Sequence, residues 1–181
     1  MPPACAAHNI MNLYEEIAGE CSKQNAERVA TSIGADPRKF DELMQILFSE
    51  EKTAVKSAAW TMSHCADKYP HLIVPYIGDF VPMLKSHKLI AVRRNIARVL
   101  QFVDIPEAHQ GELVNVCFDI LLNPKDAVAV QAFSMAILYN ITCEQPELKD
   151  ELTTVIEDML PHGTPGIKSR GKKIVKALRK L

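Results

Sequence analysis

Long apolar runs are missing from this 181-residue sequence. No stretch approaches the roughly 18 to 20 consecutive apolar residues that a membrane-spanning helix requires. The opening residues, MPPACAAHN, also lack the positive segment followed by an apolar one that marks a secretory signal. We therefore predict a soluble cytoplasmic protein that does not enter a membrane, with residues 1–9 as a disordered leader.

The motifs of several enzyme classes are missing too. The sequence has only seven glycines and no Gly-rich phosphate loop, and neither an HExxH motif nor a paired-carboxylate motif occurs in it. His64 and Cys65 are adjacent, so on a helix they point about 100° apart, and with His71 nearby they do not form a zinc-binding pattern. We predict no catalytic residue, no metal and no cofactor. An enzyme stays an alternative only if folding brings a perturbed pair of titratable groups into one pocket.

The cysteines show no pairing pattern. They are five in number, lie far apart and include no CxxC, which does not fit a disulfide framework or a metal site. We expect reduced thiols that are mostly buried, since a free cysteine packs as a small apolar side chain. Cys117 and Cys143 lie among apolar residues, in CFDILL and LYNITC, so both are expected in the core.

Acidic residues are missing from one end of the chain. Residues 166–181, GIKSRGKKIVKALRKL, contain seven Lys and Arg and no Asp or Glu, whereas the rest of the chain contains 14 basic and 22 acidic residues. A uniformly basic protein would indicate binding to a polyanion through release of its counterions. Only this end of the chain fits that description.

What the sequence does contain is a repeat. Four segments superpose, AVKSAAW, AVRRNIA, AVQAFSM and GIKSRGK, and their starts at Ala54, Ala91, Ala129 and Gly166 are 37, 38 and 37 residues apart. A second apolar pattern precedes each segment, in LMQIL, FVPML, CFDIL and IEDML. A fixed period in this range is typical of stacked helix pairs, each too small to bury its own apolar face.

Within each segment the apolar positions follow helical spacing. Offsets 0, 4, 7 and 11 from the first branched residue fall within about 60° of one another on a helix, which predicts one buried stripe. Offset 4 is small in three of the four segments, which would let a neighbouring helix approach closely. The stripe positions are Val55, Ala59, Met62, Ala66, Val92, Ile96, Val99, Val103, Val130, Ser134, Ile137, Ile141, Ile167, Gly171, Ile174 and Leu178. Residues 166–181 are therefore expected to be the last helix of the stack and not a loose tail.

Proline and glycine indicate the borders of these units, because proline costs nothing at the start of a helix and glycine suits its end. The prolines expected at the starts of first helices are Pro37, Pro70, Pro106 and Pro146, those expected to open second helices are Pro124 and Pro165, and Gly34 is the expected C-cap. We predict one domain over residues 10–181, with an N-terminal cap at 10–35 and repeats at about 36–69, 70–104, 105–145 and 146–181.

The period, the two helices per unit, the proline at the start of the first helix and the pairs Val55-Lys56, Val92-Arg93 and Ile167-Lys168 resemble HEAT repeats. This resemblance covers residues 36–181 and implies an all-α fold, a right-handed α-solenoid (superhelix) of HEAT-like helix-turn-helix repeats. The chain is also similar to small stand-alone bacterial HEAT-like proteins of unassigned activity, across ILYNI, PELKDEL, IEDMLPHG and KSRGKKI. Some of those are labelled adenylosuccinate lyase, which would imply a longer chain with the loop SSxMPxKxN. This sequence lacks that loop, so we reject the label.

The resemblance also implies a binding groove, because the second helices of a HEAT solenoid line its concave surface. Offsets 1, 2, 6 and 9 of the second helices point away from the stripe or lie beside it, and the groove residues that we predict from them are Lys56, Arg93, Arg94, Arg98, Gln101, Tyr139, Lys168 and Lys173. Arg170, a basic residue of the same last helix, is predicted as a contact with them. Phe133 and Asn95 are also expected to be exposed there, although Phe133 and Tyr139 could instead pack against the adjacent repeat. Arg and Tyr are favoured contact residues. We therefore predict a non-catalytic scaffold that binds a protein or peptide partner.

The alternative is nucleic-acid binding. HEAT-like DNA alkylation-repair glycosylases hold duplex phosphates in such a groove, with aromatic and acidic residues near the damaged base. Here the basic row is interrupted by Ala132, Ala136 and Tyr139, no Asp lies in the inward rows, and Trp60 lies beside the stripe, where it is expected to pack. A further interpretation is that the basic residues of the second helices form only a solvated helix face and bind no partner. The sequence leaves the partner and the oligomeric state open.

Overall fold

The structure is a computed structural model that describes residues 13–181 of the chain. These residues form helices joined by short turns, and no strand occurs among them. The all-α prediction is therefore confirmed. The leader predicted for residues 1–9, and residues 10–12 of the predicted cap, lie outside the described residues.

The chain divides into two compact units, one ending at Pro75 and the other spanning Tyr76–Leu181. Each predicted repeat range contains one pair of long helices. That all of them belong to one domain over residues 10–181 stays a prediction.

In the unit that ends at Pro75, the second helix of the first repeat packs against two others. The helices of this unit are α1 (13–19), α2 (Lys23–Ile33), α3 (Pro37–Leu47) and α4 (Lys52–Lys68). Helix α4 packs on both α2 and α3. Ser57 and Thr61, at offsets 2 and 6 of α4, are consequently buried, so the expectation that these offsets face the groove is wrong for α4.

Side chains and one glycine define the ends of the early helices. The Ser22 hydroxyl accepts a hydrogen bond from the backbone N–H of Asn25 at 3.1 Å, and the Asp36 carboxylate accepts one at 2.9 Å from the first turn of α3. Such caps satisfy N–H groups that have no partner within the helix. Gly34 has a φ of 58° and donates its N–H to the Ala30 carbonyl, which confirms the predicted C-cap.

In the unit Tyr76–Leu181 the helices alternate between two layers. The helices are α5 (Ile77–Ser86), α6 (Ile90–Leu100), α7 (Glu107–Leu122), α8 (Val128–Glu144), α9 (Lys149–Met159) and α10 (Pro165–Leu178). The first helices pack in the order α5, α7, α9, and the second helices in the order α6, α8, α10. Each first helix also packs on the second helix of its own pair. This is the stacked arrangement expected of a helical solenoid.

The predicted stripe is part of the core of both units. All four stripe positions of α4, α8 and α10 are buried, as are the first three of α6. Val103 is half-buried because α6 ends at Leu100, before the stripe reaches it. The periodicity therefore located the packed faces correctly within the helices.

Most of the predicted proline positions are confirmed. Pro37 and Pro165 lie in the first turns of α3 and α10, while Pro70 and Pro146 begin short 3₁₀ turns. The prediction for Pro124 is wrong, because it lies in the turn that precedes α8, where Asn123 Oδ1 accepts the N–H of Lys125. An asparagine that hydrogen-bonds two residues ahead forms such a turn by itself. Helix α8 begins four residues after Pro124.

The small residue at offset 4 of α10 allows a close helix contact, as predicted. A Cβ built on Gly171 would lie 2.9 Å from Ile156 Cγ2 and 2.9 Å from Leu160 Cδ2. Both neighbours belong to α9 or to its end. Gly111 in α7 is different, because a Cβ there would meet nothing within 4 Å.

This pair of glycines gives a matched test of the close contact. Gly171→Ala should lower the free energy of unfolding by about 1 kcal/mol, since an overpacking cost of about 1–3 kcal/mol exceeds the helix-propensity gain of about 1 kcal/mol. Gly111→Ala, with the same gain and no clash, should raise it by about 1 kcal/mol. Urea unfolding of both variants measures the difference. Equal stabilisation by the two substitutions would contradict the contact between α9 and α10.

A charge placed in the stripe tests whether the basic C-terminal segment is packed. Ile174 is 6% exposed, so Ile174→Asp should lower the free energy of unfolding by about 3–5 kcal/mol through an uncompensated buried charge. Ser169→Asp, at an exposed position of the same helix, is the control and should change stability by less than about 0.5 kcal/mol. Thermal unfolding followed by circular dichroism compares them. A segment that is not packed would tolerate both.

Candidate binding surface on the second helices

Helix α8 is the central second helix of the unit Tyr76–Leu181 and has no charged side chain from Val128 to Cys143. It packs on α6, α7, α9 and α10, which explains why apolar residues occur on nearly all of its sides. One side is left uncovered within this unit. Its outward row consists of half-buried Ala132, Ala136 and Tyr139 and exposed Cys143, which repeat at helical spacing.

Tyr139 lies on this row one turn before Cys143. A hydrogen bond with the Cys143 side chain, together with burial, raises the pKa of Tyr139. The phenol therefore stays neutral near pH 7. Exposure of Cys143 contradicts the prediction that it lies in the core, because apolar neighbours in sequence surround every position of α8, including those that face outward.

The flank of α8 that carries Phe133 and Asn140 is turned toward α6. Asn140 Nδ2 donates to the backbone carbonyl of Gln101 at 2.8 Å, just after α6 ends. Phe133 precedes Asn140 by seven residues, so it lies on the same side of the helix, and it is half-buried.

The opposite flank of the surface comes from α10. A Cβ on Gly166 would lie 3.7 Å from Val128 Cγ1, so this side of α10 is turned toward α8. Arg170 and Lys173 follow Gly166 at intervals of four and seven residues and therefore share that side. Arg170 is half-buried and Lys173 is exposed.

Other cations of α10 are turned away from α8. A cleft of about 420 Å³ between α9 and α10 is lined by Lys172, Lys176 and Arg179, among others, and Arg179 Nη2 lies 2.7 Å from Glu157 Oε1. Lys168 precedes Lys172 by one turn and so lies on the side of this cleft. The structure therefore separates Lys168 from Arg170 and Lys173, with which the sequence had grouped it.

On α6, Arg94 is exposed and Arg98, one turn later, is half-buried. We call the face formed by these helices the second-helix surface. It is made of Arg94, Arg98, Ala132, Phe133, Ala136, Tyr139, Ser169, Arg170 and Lys173. Lys56, the other predicted contact, is exposed on α4 in the unit that ends at Pro75.

Arg93 is not available to a ligand, contrary to the prediction. Its Nη1 lies 2.6 Å from Asp126 Oδ1, its Nε donates to the Leu84 carbonyl at 2.7 Å, and the two charged side chains are 14% and 8% exposed. The pair joins α6 to the turn before α8, so Arg93 connects one repeat to the next.

Gln101 and Asn95 were also expected to be exposed, and both are buried, at 8% and 3% exposure. The chain turns after α6, and Gln101 Nε2 donates back to the Arg98 carbonyl at 3.0 Å. Its own carbonyl is the acceptor for Asn140. The polar groups of Gln101 therefore hold the turn together and do not face solvent.

Charge is divided between the two layers of this unit. The second helices α6, α8 and α10 contain eight basic residues and one acidic residue. The first helices α5, α7 and α9 contain two basic and eight acidic residues. The acidic residue of the second helices, Glu144, lies at the end of α8 and accepts a hydrogen bond from Gln110 at 2.9 Å.

Groups that could bind a metal ion do not come together in residues 13–181. No cluster of three or more His, Cys, Asp or Glu side chains occurs in this part of the chain. Burial raises the pKa of both the Cys65 and the Cys117 thiols to about 12, so neither is a thiolate at neutral pH. Trp60 is half-buried and stacks on His64. No helix in the described range is long and apolar enough to cross a membrane.

A family model described as a HEAT repeat domain matches residues 13–178. The chain belongs to the HEAT repeat family. The crystal structure of an engineered protein, a Northeast Structural Genomics Consortium target, is similar, with a TM-score of 0.64 and 18% sequence identity. The match covers 85% of this chain and 67% of that one, and at this identity it supports the fold alone. The comparison with curated proteins returned no match.

The HEAT repeat arrangement also produces an apolar pocket that sequence patterns did not indicate. A cavity of about 400 Å³ lies between the turn before α8 and the turn before α10. Leu122, Val128, Met159 and Ile167 are among its lining residues, and no Lys or Arg lines it. Leu122 is 66% exposed. Turns from two successive repeats form the cavity, so no local motif could have located it.

The Arg93–Asp126 pair offers a test of which arginine of this HEAT repeat protein is structural. Arg93→Met should lower the free energy of unfolding by about 3–5 kcal/mol, because Asp126 would stay buried without its partner. Arg94→Met, one residue later and exposed, should change it by less than about 0.5 kcal/mol. Chemical denaturation in urea separates the two. Similar small changes in the free energy of unfolding for the two variants would mean that Arg93 does not stabilise the fold.

Proposed function

We propose that this HEAT repeat protein is a non-catalytic cytoplasmic scaffold that binds a protein or peptide on its second-helix surface. One observation supports this above the others: the uncharged, outward row of α8 lies between cationic side chains of α6 and α10. Apolar and aromatic surface at the centre with charge at the edges is the usual organisation of protein interfaces. The principal contacts in this proposal are Arg94, Arg98, Tyr139, Arg170 and Lys173, and Lys56 stays a further predicted contact.

Tyr139 is the central anchor in this proposal. Aromatic side chains dominate the binding energy of many interfaces, and they do so near the centre of the contact. Its ring is already half-buried, so part of its side-chain freedom is lost before a partner binds. The neighbouring Ala132 and Ala136 leave room for a partner to approach the helix backbone.

A charge in the centre of the surface tests the proposal. Ala136→Glu should reduce capture of the partner at least tenfold, because it places a carboxylate where apolar surface is buried, at a cost above about 1.4 kcal/mol. Asn115→Glu adds the same charge at an exposed position of α7 and should leave capture unchanged. Affinity capture from the native cell followed by quantitative mass spectrometry measures both. Equal capture by the wild type and by Ala136→Glu would refute the assignment of this surface.

Nucleic-acid binding is the alternative, and the excess of basic residues in the second helices favours it. It predicts duplex affinity that falls steeply with salt and that is lost when Arg94, Arg98 and Lys173 are changed to Glu. We expect instead no surface-dependent binding of a labelled duplex at low salt. Titration by fluorescence anisotropy at two salt concentrations decides between the two classes.

A further inference from the structure

We infer that the partner segment is a short amphipathic helix with acidic side chains along both edges of its apolar face. This inference rests on the proposed function and specifies the chemistry of the partner. The apolar face covers the outward row of α8, while the acidic edges pair with Arg94 on one side and with Arg170 and Lys173 on the other.

The sign of the partner's charge follows from the division of charge between the layers. Eight of the nine charged residues in α6, α8 and α10 are basic. The exception, Glu144, lies at the end of α8 beyond the outward row and is hydrogen-bonded to Gln110. A basic segment would be repelled along both flanks, whereas an acidic one is attracted and oriented by them.

The apolar component of the partner follows from α8. Between the two cationic flanks the floor is Ala132, Ala136 and Tyr139, with Phe133 at the edge toward α6. A purely acidic, hydrated segment would leave this apolar floor unused or would lose water from its carboxylates against it, which costs free energy. The floor therefore selects a segment with apolar residues on one side.

The dimensions of the surface suit a single helix laid along α8. From Ala132 to Cys143 the row is roughly 16 Å long at 1.5 Å per residue, or about three turns. Neighbouring helices pack about 8–10 Å apart, so the flanks on α6 and α10 lie roughly 16–20 Å from each other. A helix is about 10–12 Å across, and long Arg and Lys side chains bridge the remaining distance on each side. Small residues on the floor allow the close approach that such packing needs.

This floor distinguishes the partner from a nucleic acid. Phosphates are spaced regularly along a strand and are held by cations that follow it. Helix α8 offers no cation from Val128 to Cys143, so a strand crossing the surface would lose its contacts over the whole central helix. An acidic amphipathic helix carries its negative charges only along its two edges, next to the cationic side chains of α6 and α10.

Selection of peptides tests the inference. A display library of random 16-residue peptides is selected on the full chain near physiological salt, and the recovered peptides are sequenced. We expect enrichment of Asp and Glu, together with Leu and Phe at helical spacings of three and four residues. The affinity of the selected peptides is then compared among variants with matched charge changes.

Two double variants separate the surface from net charge. Arg94→Glu with Lys173→Glu reverses one cation on each flank, and we expect affinity to fall at least tenfold, the equivalent of about 1.4 kcal/mol. Lys172→Glu with Lys176→Glu makes the same change in net charge on the side of α10 turned away from α8, and we expect less than about a threefold effect, since screening weakens distant charges. All four positions are exposed, and thermal unfolding verifies that each variant is folded.

The outcomes separate this inference from the function on which it rests. Peptides without acidic enrichment whose binding is still lost in Ala136→Glu would overturn the acidic helix and leave the scaffold function standing. Peptides insensitive to Ala136→Glu and to the flank reversal would overturn both. Salt-sensitive self-association of the purified protein, abolished by the flank reversal, would overturn the inference by making a second copy the occupant.

Discussion

Burial of one apolar stripe per second helix is the constraint on which the rest of this protein depends. A single pair of helices cannot cover its own stripe, so successive pairs must stack, and in residues 76–181 α8 is consequently packed by four other helices. Apolar composition on nearly all sides of α8 follows from this position. The uncharged outward row is a part of that apolar surface that the unit itself leaves uncovered.

Stacking also determines which polar side chains are available to a partner. At the contacts between successive pairs, Arg93 binds Asp126 and the side chain of Asn140 donates to the carbonyl of Gln101. Within one pair, Glu144 accepts a hydrogen bond from Gln110. Groups buried at such contacts need partners, because an unpaired polar group away from water is costly. Exposed cations lie on the second helices, among them Arg94 on α6 and Lys173 on α10, and acidic residues collect on the first helices of this unit. The electrostatic character of the proposed binding surface is thus a product of the packing.

Prediction from sequence succeeded for features that are determined within a single helix. The stripe on α10, the glycine at its offset 4 and the C-cap at Gly34 each depend on spacing along one helix or on the conformational freedom of one residue. It failed for Arg93, Gln101, Asn95 and Cys143. Angular offset describes direction about a helix axis, but exposure depends on what lies in that direction. The acceptors for Arg93 are the Leu84 carbonyl and Asp126, the latter 33 residues away.

The sequence alone determined the helical repeat, the packed face of each second helix and the concentration of positive charge near residue 181, because periodicity and composition are local properties of the chain. The tertiary structure decided that Arg170 and Lys173 face α8 while Lys168 and Lys172 do not. It also decided that Arg93 is structural and that apolar α8 lies between cationic neighbours. These depend on the rotation and order of helices brought together by packing, which no spacing within one helix specifies.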